Sequence, residues 1–99
     1  MLHIVNKSPS QTRTLASCLR LAQAGSAVLL IEDGVYAATK GNADASALHA
    51  ACGRLQVYAL QPDCDARGIT AVLAEGITLV DYGGFVDLVA QRSTAHSWL

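Results

Sequence analysis

The strongest constraint on this chain is a change of residue period that recurs along it. Short β-prone runs, Leu2-His3-Ile4-Val5, Ala27 to Ile31, Leu55 to Leu60 and Ile77 to Val80, alternate with stretches whose apolar residues return at helical spacing. Leu15, Cys18, Leu19 and Ala22 form such a stripe, and Phe85, Leu88 and Val89 form another. Strand-helix alternation of this kind predicts a parallel sheet, because parallel neighbours need a crossover and right-handed crossovers place helices on both faces. The run Ala27 to Ile31 is apolar on both faces, as a sheet covered on both sides requires. With 99 residues and no repeat or linker, the expectation is a single domain over residues 1–99. Its expected architecture is a three-layer α/β/α fold around a mostly parallel sheet of about four to five strands.

The breakers set the expected boundaries. Asn6 and Ser8-Pro9-Ser10 end the first strand; a helix is expected from about Gln11, with Ser10 as N-cap and Gly25 as its stop. One helical turn is expected at Val35 to Ala38, and a further helix from about Asp44 to Cys52, stopped by Gly53. A short helix fits Pro62 to Arg67, since proline suits a first helical turn. Ala71 to Glu75 is open between helix and loop, and a last helix runs from Tyr82 or Gly83 to Gln91. Ser93 to Leu99 reads as a polar tail that ends in Trp98-Leu99.

Composition decides which environments suit the chain. Hydrophobic residues reach 52 % and charged ones only 15 %, against a usual charged share of about 25 %. That excludes disorder and implies that part of a small domain's surface is covered by another chain. A net charge of −1 and seven scattered Lys and Arg give no phosphate-binding patch, so direct nucleic-acid binding is not expected. The longest clean apolar run, Ala27 to Ile31, is far short of the ~20 residues of a membrane span. The polar residues from Asn6 onward leave no signal-peptide core, so the expected location is cytoplasmic and the three cysteines are expected as thiols.

Several residues carry potential chemistry. Cys18 lies mid-helix beside the Leu15-Leu19-Ala22 stripe, turned toward Leu21. It reads either as a small buried hydrophobe or as a thiol at the helix edge open to a partner. Cys52 beside Gly53 reads as packing; Cys64, flanked by Asp63 and Asp65, has neighbours that oppose a thiolate. His49-x-x-Cys52 supplies only half of a zinc site. His3, in an apolar strand, reads as a satisfied core histidine, and His96 lies in the tail. Asp33 and Asp81 follow strands at the edge where open α/β sheets build sites, yet Asp-Gly and Asp-Tyr-Gly-Gly also serve as turn and N-cap chemistry. Gly83-Gly84 matches no phosphate loop, and no Gly-x-Ser-x-Gly elbow exposes a serine. Tyr36, Tyr82, Phe85 and Trp98 are candidate interface aromatics; for Trp98 the alternative is a tail folded back on its own domain.

Leu2-His3-Ile4-Val5-Asn6-Lys7-Ser8-Pro9, Leu30-Ile31-Glu32-Asp33-Gly34-Val35-Tyr36-Ala37-Ala38 and Val57-Tyr58-Ala59-Leu60 occur together here. With Asp65-Ala66-Arg67-Gly68, Val80-Asp81-Tyr82-Gly83-Gly84-Phe85-Val86-Asp87-Leu88 and Trp98-Leu99, they make the chain resemble the DsrH/TusB family of sulfur-relay proteins. The resemblance implies a DsrE-like fold and a hetero-oligomer with DsrE/TusD-like and DsrF/TusC-like subunits, two copies of each. It implies transfer of persulfide sulfur to a DsrC/TusE-like carrier, for sulfur oxidation or for 2-thiolation of the tRNA wobble uridine. The principal sulfur-carrying cysteine of such complexes lies on the DsrE or TusD subunit. Leu15-Ala16-Ser17-Cys18-Leu19 looks like the place where Dsr-branch members carry a cysteine, which tilts the resemblance toward that branch and makes Cys18 a candidate persulfide carrier. Such exchange needs an accessible, partly ionised thiol and neither metal nor organic cofactor; a buried Cys18 would be unable to perform it. The rival expectations are a structural subunit with Cys18 silent, and a stand-alone thiol sulfurtransferase.

Overall fold

The alternation closes into one parallel sheet. A computed structural model describes residues 1–8, 13–41, 45–92 and 94–98. Strands β1 (Leu2–Val5), β2 (Ala27–Leu30), β3 (Gln56–Leu60), β4 (Ile77–Val80) and β5 (Ala95–Trp98) pair in the order β4-β3-β2-β1-β5, every pair parallel. Between them run α1 (Thr14–Leu21), α2 (Ala45–Ala51), α3 (Gln61–Ala66) and α4 (Tyr82–Gln91), with 3-10 segments at Glu32–Ala38 and Thr70–Val72. The expected α/β fold and layered architecture hold.

Register sorts the strand side chains onto two unequal faces. Val5, Val28, Leu30, Val57 and Ala59 point to one side. There they meet Leu15, Cys18 and Leu19 of α1, Leu48 and Ala51 of α2, Cys64 of α3, and Val35, Ala37 and Ala38. The opposite face holds Leu2, Ala27 and Leu29, packed on Leu88 of α4. Among the described residues α4 is the one helix in that second cluster, and Ile4, Ile31, Tyr58, Val80 and Phe85 around it are only partly buried. All four residues of β2 are buried, as its two-sided apolar sequence requires. Each large aliphatic side chain removed from water in these layers contributes about 1.5–3 kcal/mol.

Local boundaries follow the sequence with informative departures. Ser10 and the expected helix start lie outside the described residues; within them α1 begins at Thr14, with Arg13 at its N-cap and no side-chain cap. The helix ends at Leu21, ahead of Gly25, because the Arg54 guanidinium reaches across to donate to the Leu19 and Ala22 carbonyls, the latter at 2.7 Å. Those carbonyls would otherwise lack partners at the helix end. Gly25 (φ +88°) serves the following turn instead. The single turn expected at Val35 lengthens to seven 3-10 residues, and Gly34 makes that possible: a Cβ there would stand 2.2 Å from the Val5 carbonyl oxygen. The undecided stretch Ala71 to Glu75 divides: Ala71 and Val72 complete a 3-10 turn that starts at Thr70, and Leu73 to Glu75 are non-helical; Lys40 N donates to Val72 O at 2.9 Å and Ala74 N to Ala38 O at 2.7 Å.

The tail is the main correction. Residues Ala95–Trp98 form edge strand β5, registered Leu2↔Ala95 through Val5↔Trp98. Ala95, His96 and Ser97 are exposed, so this strand is held by its ladder to β1 and by Trp98, and its sequence carries no apolar alternation that would announce it. Ser93 and Leu99 lie outside the described residues.

Candidate functional site

The helical period places Cys18 at i+3 from Leu15, on the face that α1 turns to the sheet rather than toward Leu21. Cys18 is fully buried in the main core, whereas Leu21 is 64 % exposed. Desolvation pushes the thiol up to about 11 from an ordinary 9.0. The folded chain thus withholds both access and ionisation from the residue that the resemblance favoured.

Of the other two cysteines, Cys64 is equally buried and Cys52 is the more reachable. Cys64 is fully buried; burial raises its thiol first, Asp65 and Asp63 raise it further, and Arg67 partly offsets them. Cys52 is half-buried, its Sγ lies 3.6 Å from the Gly76 carbonyl oxygen, and burial raises its thiol too. It packs against the turn at Gly76 (φ +88°), where a Cβ would approach Sγ to 3.1 Å. All three are free thiols. His49 is exposed on α2, and among the described residues no group of three or more His, Cys, Asp or Glu side chains is arranged to hold a metal ion.

The carboxylates at the C-terminal edge of the sheet are engaged locally. Asp81 Oδ1 accepts from Gly84 N at 2.7 Å, the N-cap of α4. Asp33 Oδ1 accepts from Arg67 Nε at 3.0 Å in a half-exposed ion pair. Asp63 Oδ2 accepts from the backbone N–H of Glu32 at 2.7 Å, holding that residue at φ +49° where the chain leaves β2. Arg67, Asp63 and Arg54 are contributors that the sequence did not single out, since each acts on a group more than thirty positions away.

The histidines and Trp98 form one cluster on the main-core side of β1 and β5. Trp98 Nε1 donates to His3 Nδ1 at 3.0 Å, and the His96 ring lies 4.9 Å from the Trp98 ring and 6.4 Å from that of His3. His3 is buried, and desolvation first, then His96 and the α-amino group, lower its basicity. The tail has folded back on its own domain. The four aromatic interface candidates therefore do not share one surface. Tyr36 is exposed on the first 3-10 segment, and Trp98 is half-buried against the main core. Tyr82 stands outward on α4 at 62 % exposure, and Phe85 turns inward beside Leu88. No helix among the described residues is long and apolar enough to cross a membrane.

Comparison with known proteins bears on this arrangement. A family model described as "DsrH like protein" matches residues 7–95. Curated relatives called Protein TusB are similar over the whole length: that of Serratia proteamaculans is 39 % identical over 98 residues, covering 99 % of this chain and 100 % of the relative. That of Escherichia coli strain K12 is 40 % identical with the same coverage. Among solved structures, the ychN protein from E. coli superposes with a TM-score of 0.81 at 18 % identity, covering 97 % of both chains. MTH1491 from Methanobacterium thermoautotrophicum, a protein of unknown function, gives 0.77 at 19 %, covering 97 % of this chain and 95 % of that one. These two likenesses establish the fold.

Proposed function

The chain belongs to the DsrH family, and from that premise we propose that it is a non-carrying subunit of a sulfur-relay complex serving 2-thiolation of the tRNA wobble uridine. The observation that carries this reading is its end-to-end similarity to relatives called TusB. In the relay, a thiolate attacks the outer sulfur of a partner's persulfide. One S–S bond forms as another breaks, the donor cysteine leaves as thiolate, and no net oxidation occurs. The DsrE/TusD-like partner holds the carrying cysteine, a DsrF/TusC-like subunit completes the complex, and a TusE-like carrier receives the sulfur.

Within that complex Cys18 packs rather than carries. Full burial of its side chain supports this, since attack requires a reachable thiolate. The tilt toward the Dsr branch rested on Cys18 alone, and a core residue says little about pathway; the relatives' names favour the Tus branch.

The test is a deletion strain of the source organism, complemented by wild type or by Cys18→Ala, with tRNA 2-thiouridine measured by mass spectrometry. Deletion is expected to abolish the modification and both forms to restore it. Native mass spectrometry of the tagged chain, purified without reductant, is expected to show two companion subunits in equal copy number and no sulfur on Cys18. Unchanged 2-thiouridine after deletion overturns the pathway. Failure of Cys18→Ala in an intact complex, or sulfur added to Cys18, overturns the non-carrying role.

A further inference from the structure

β5 is fastened to the domain at one side chain. Ala95, His96 and Ser97 are exposed, and Trp98 is the single β5 residue packed on either core cluster. The rest of its hold is the ladder to β1, extended by Leu2 N donating to Thr94 O at 3.0 Å. β1 keeps β2 on its other side, and Leu2 and Val5 anchor it in the two clusters. The seat of Trp98 depends in turn on the protonation of one ring. An indole N–H can only donate, so the 3.0 Å bond from Trp98 Nε1 requires His3 Nδ1 to be bare, with the ring's proton on Nε2.

We infer that β5 is an acid-released latch: a proton taken from solvent onto His3 Nδ1 turns the acceptor into a second donor, Trp98 loses its seat, and the strand leaves β1. In the closed chain that imidazolium stands buried against an N–H donor, an arrangement that opening relieves. The surroundings of the ring act in the same sense. His96 on β5 and the α-amino group beside β1 both oppose a positive charge on His3, and burial opposes it more strongly than either. β2 presents apolar Val28 in register with His3. α1 turns Leu15, Cys18 and Leu19 to this side of the sheet, and the Cys18 thiol, pushed up to about 11, stays neutral. His3 therefore takes a proton in the closed chain only below the ordinary 6.5, whereas with β5 released it meets solvent and titrates near that value. The closed form is favoured above 6.5. Below it each pH unit favours opening by up to about tenfold, until the closed form protonates as well. Opening leaves the β1 edge with unpaired N–H and C=O groups.

The inference stands apart from the relay reading, because the full chain alone tests it. Trp98 is the chain's only tryptophan, so its fluorescence reports its own seat. As pH falls from about 7.5 to about 5, the emission is expected to shift to the red and acrylamide quenching to rise, while far-UV circular dichroism holds. Amide hydrogen exchange, corrected for the intrinsic rate, is expected to quicken in β5 by up to about tenfold per pH unit, with β2 unchanged. His3→Gln keeps an acceptor for Trp98 without a titrating ring and is expected to abolish both responses. His96→Gln, which removes one opposing charge, is expected to weaken them without abolishing them. In the wild type, the NMR signals of the His3 ring and the Trp98 indole N–H are expected to share one midpoint below 6.5, a result that needs no variant to fold. Trp98 shielded from quencher at every pH, a His3→Gln chain that responds like the wild type, or separate midpoints overturns the inference. So does loss of protection in β2 in step with β5, which is unfolding of the domain and not release of a latch.

Discussion

Native-state alkylation separates a carrier thiol from a packing thiol at Cys18 most directly. With its thiol at about 11 instead of 9.0, about 0.1 % of Cys18 is thiolate near pH 8, against about 9 % for an ordinary cysteine, a deficit of nearly a hundredfold. Burial causes both this shift and the lack of access, so the opening of the core sets the protection, and the two factors do not multiply. Iodoacetamide cannot touch a side chain with no exposed surface until α1 leaves the sheet. That opening exposes Leu15 and Leu19 as well, so it approaches global unfolding, and a stability of about 5 kcal/mol suppresses it by more than a thousandfold. A pulse of reagent on the folded chain, followed by digestion and mass spectrometry of each cysteine peptide, is expected to label half-buried Cys52 first. Cys18 and Cys64 should follow only at the rate of unfolding, and denaturant should accelerate them together. Labelling of Cys18 in native buffer as fast as Cys52, and in proportion to reagent concentration, would refute the reasoning.

Three stability measurements test the remaining contacts. His3 is less basic in the folded chain than when unfolded, so the unfolded state takes up a proton first as pH falls; stability is full above 6.5 and declines below it until the folded form also protonates. Urea midpoints should show this acid slope in the wild type and a shallower one in His3→Gln. Trp98→Phe leaves His3 Nδ1 a buried acceptor without its donor and should cost about 1–2 kcal/mol; a change below a few tenths would mean that water replaces the indole at no cost. Gly34→Ala forces a methyl against the Val5 carbonyl and should lower stability by about 3 kcal/mol or more, whereas a neutral result on thermal melting would show that the 3-10 segment shifts freely.

What the sequence disclosed tracks how local each interaction is. Ile77 to Val80 and Tyr82 to Gln91 appear where expected, because alternation, a capping aspartate and helical spacing all act within a few residues. β5 was hidden since its partner strand begins at Leu2, at the other end of the chain, and Ala95-His96-Ser97 are exposed. The end of α1 was misplaced for the same reason: Gly25 is the local signal, but Arg54 supplies the cap. The candidate site depended on one rotation. Cys18 at i+3 from Leu15 and directly before Leu19 belongs to the buried stripe by the same spacing that identified the helix. The resemblance drew attention to the cysteine, and the helical period, applied to it as to its neighbours, would have placed it inside.

The placement of the cysteines also constrains how such a chain contributes to sulfur transfer. Burial raises every one of its thiols, and the two buried deepest sit in the main core. On the proposed reading, chemistry at a thiol comes from a partner, and this chain's share is the binding free energy that holds that partner in position. The exposed large apolar side chains of the described residues gather in part on α4, over the thinly covered sheet face, while the thiols lie in or against the core on the other side. A mutational map of sulfur flow should then be inverted relative to a carrier's. Substitutions at Tyr82 or Val86, which are largely exposed, should impair flow through assembly, and conservative substitutions of Cys18, Cys52 and Cys64 should affect it only as far as they destabilise the fold. Loss of sulfur flow on replacing a cysteine, with stability and assembly both intact, is the pattern that this division between surface and core forbids.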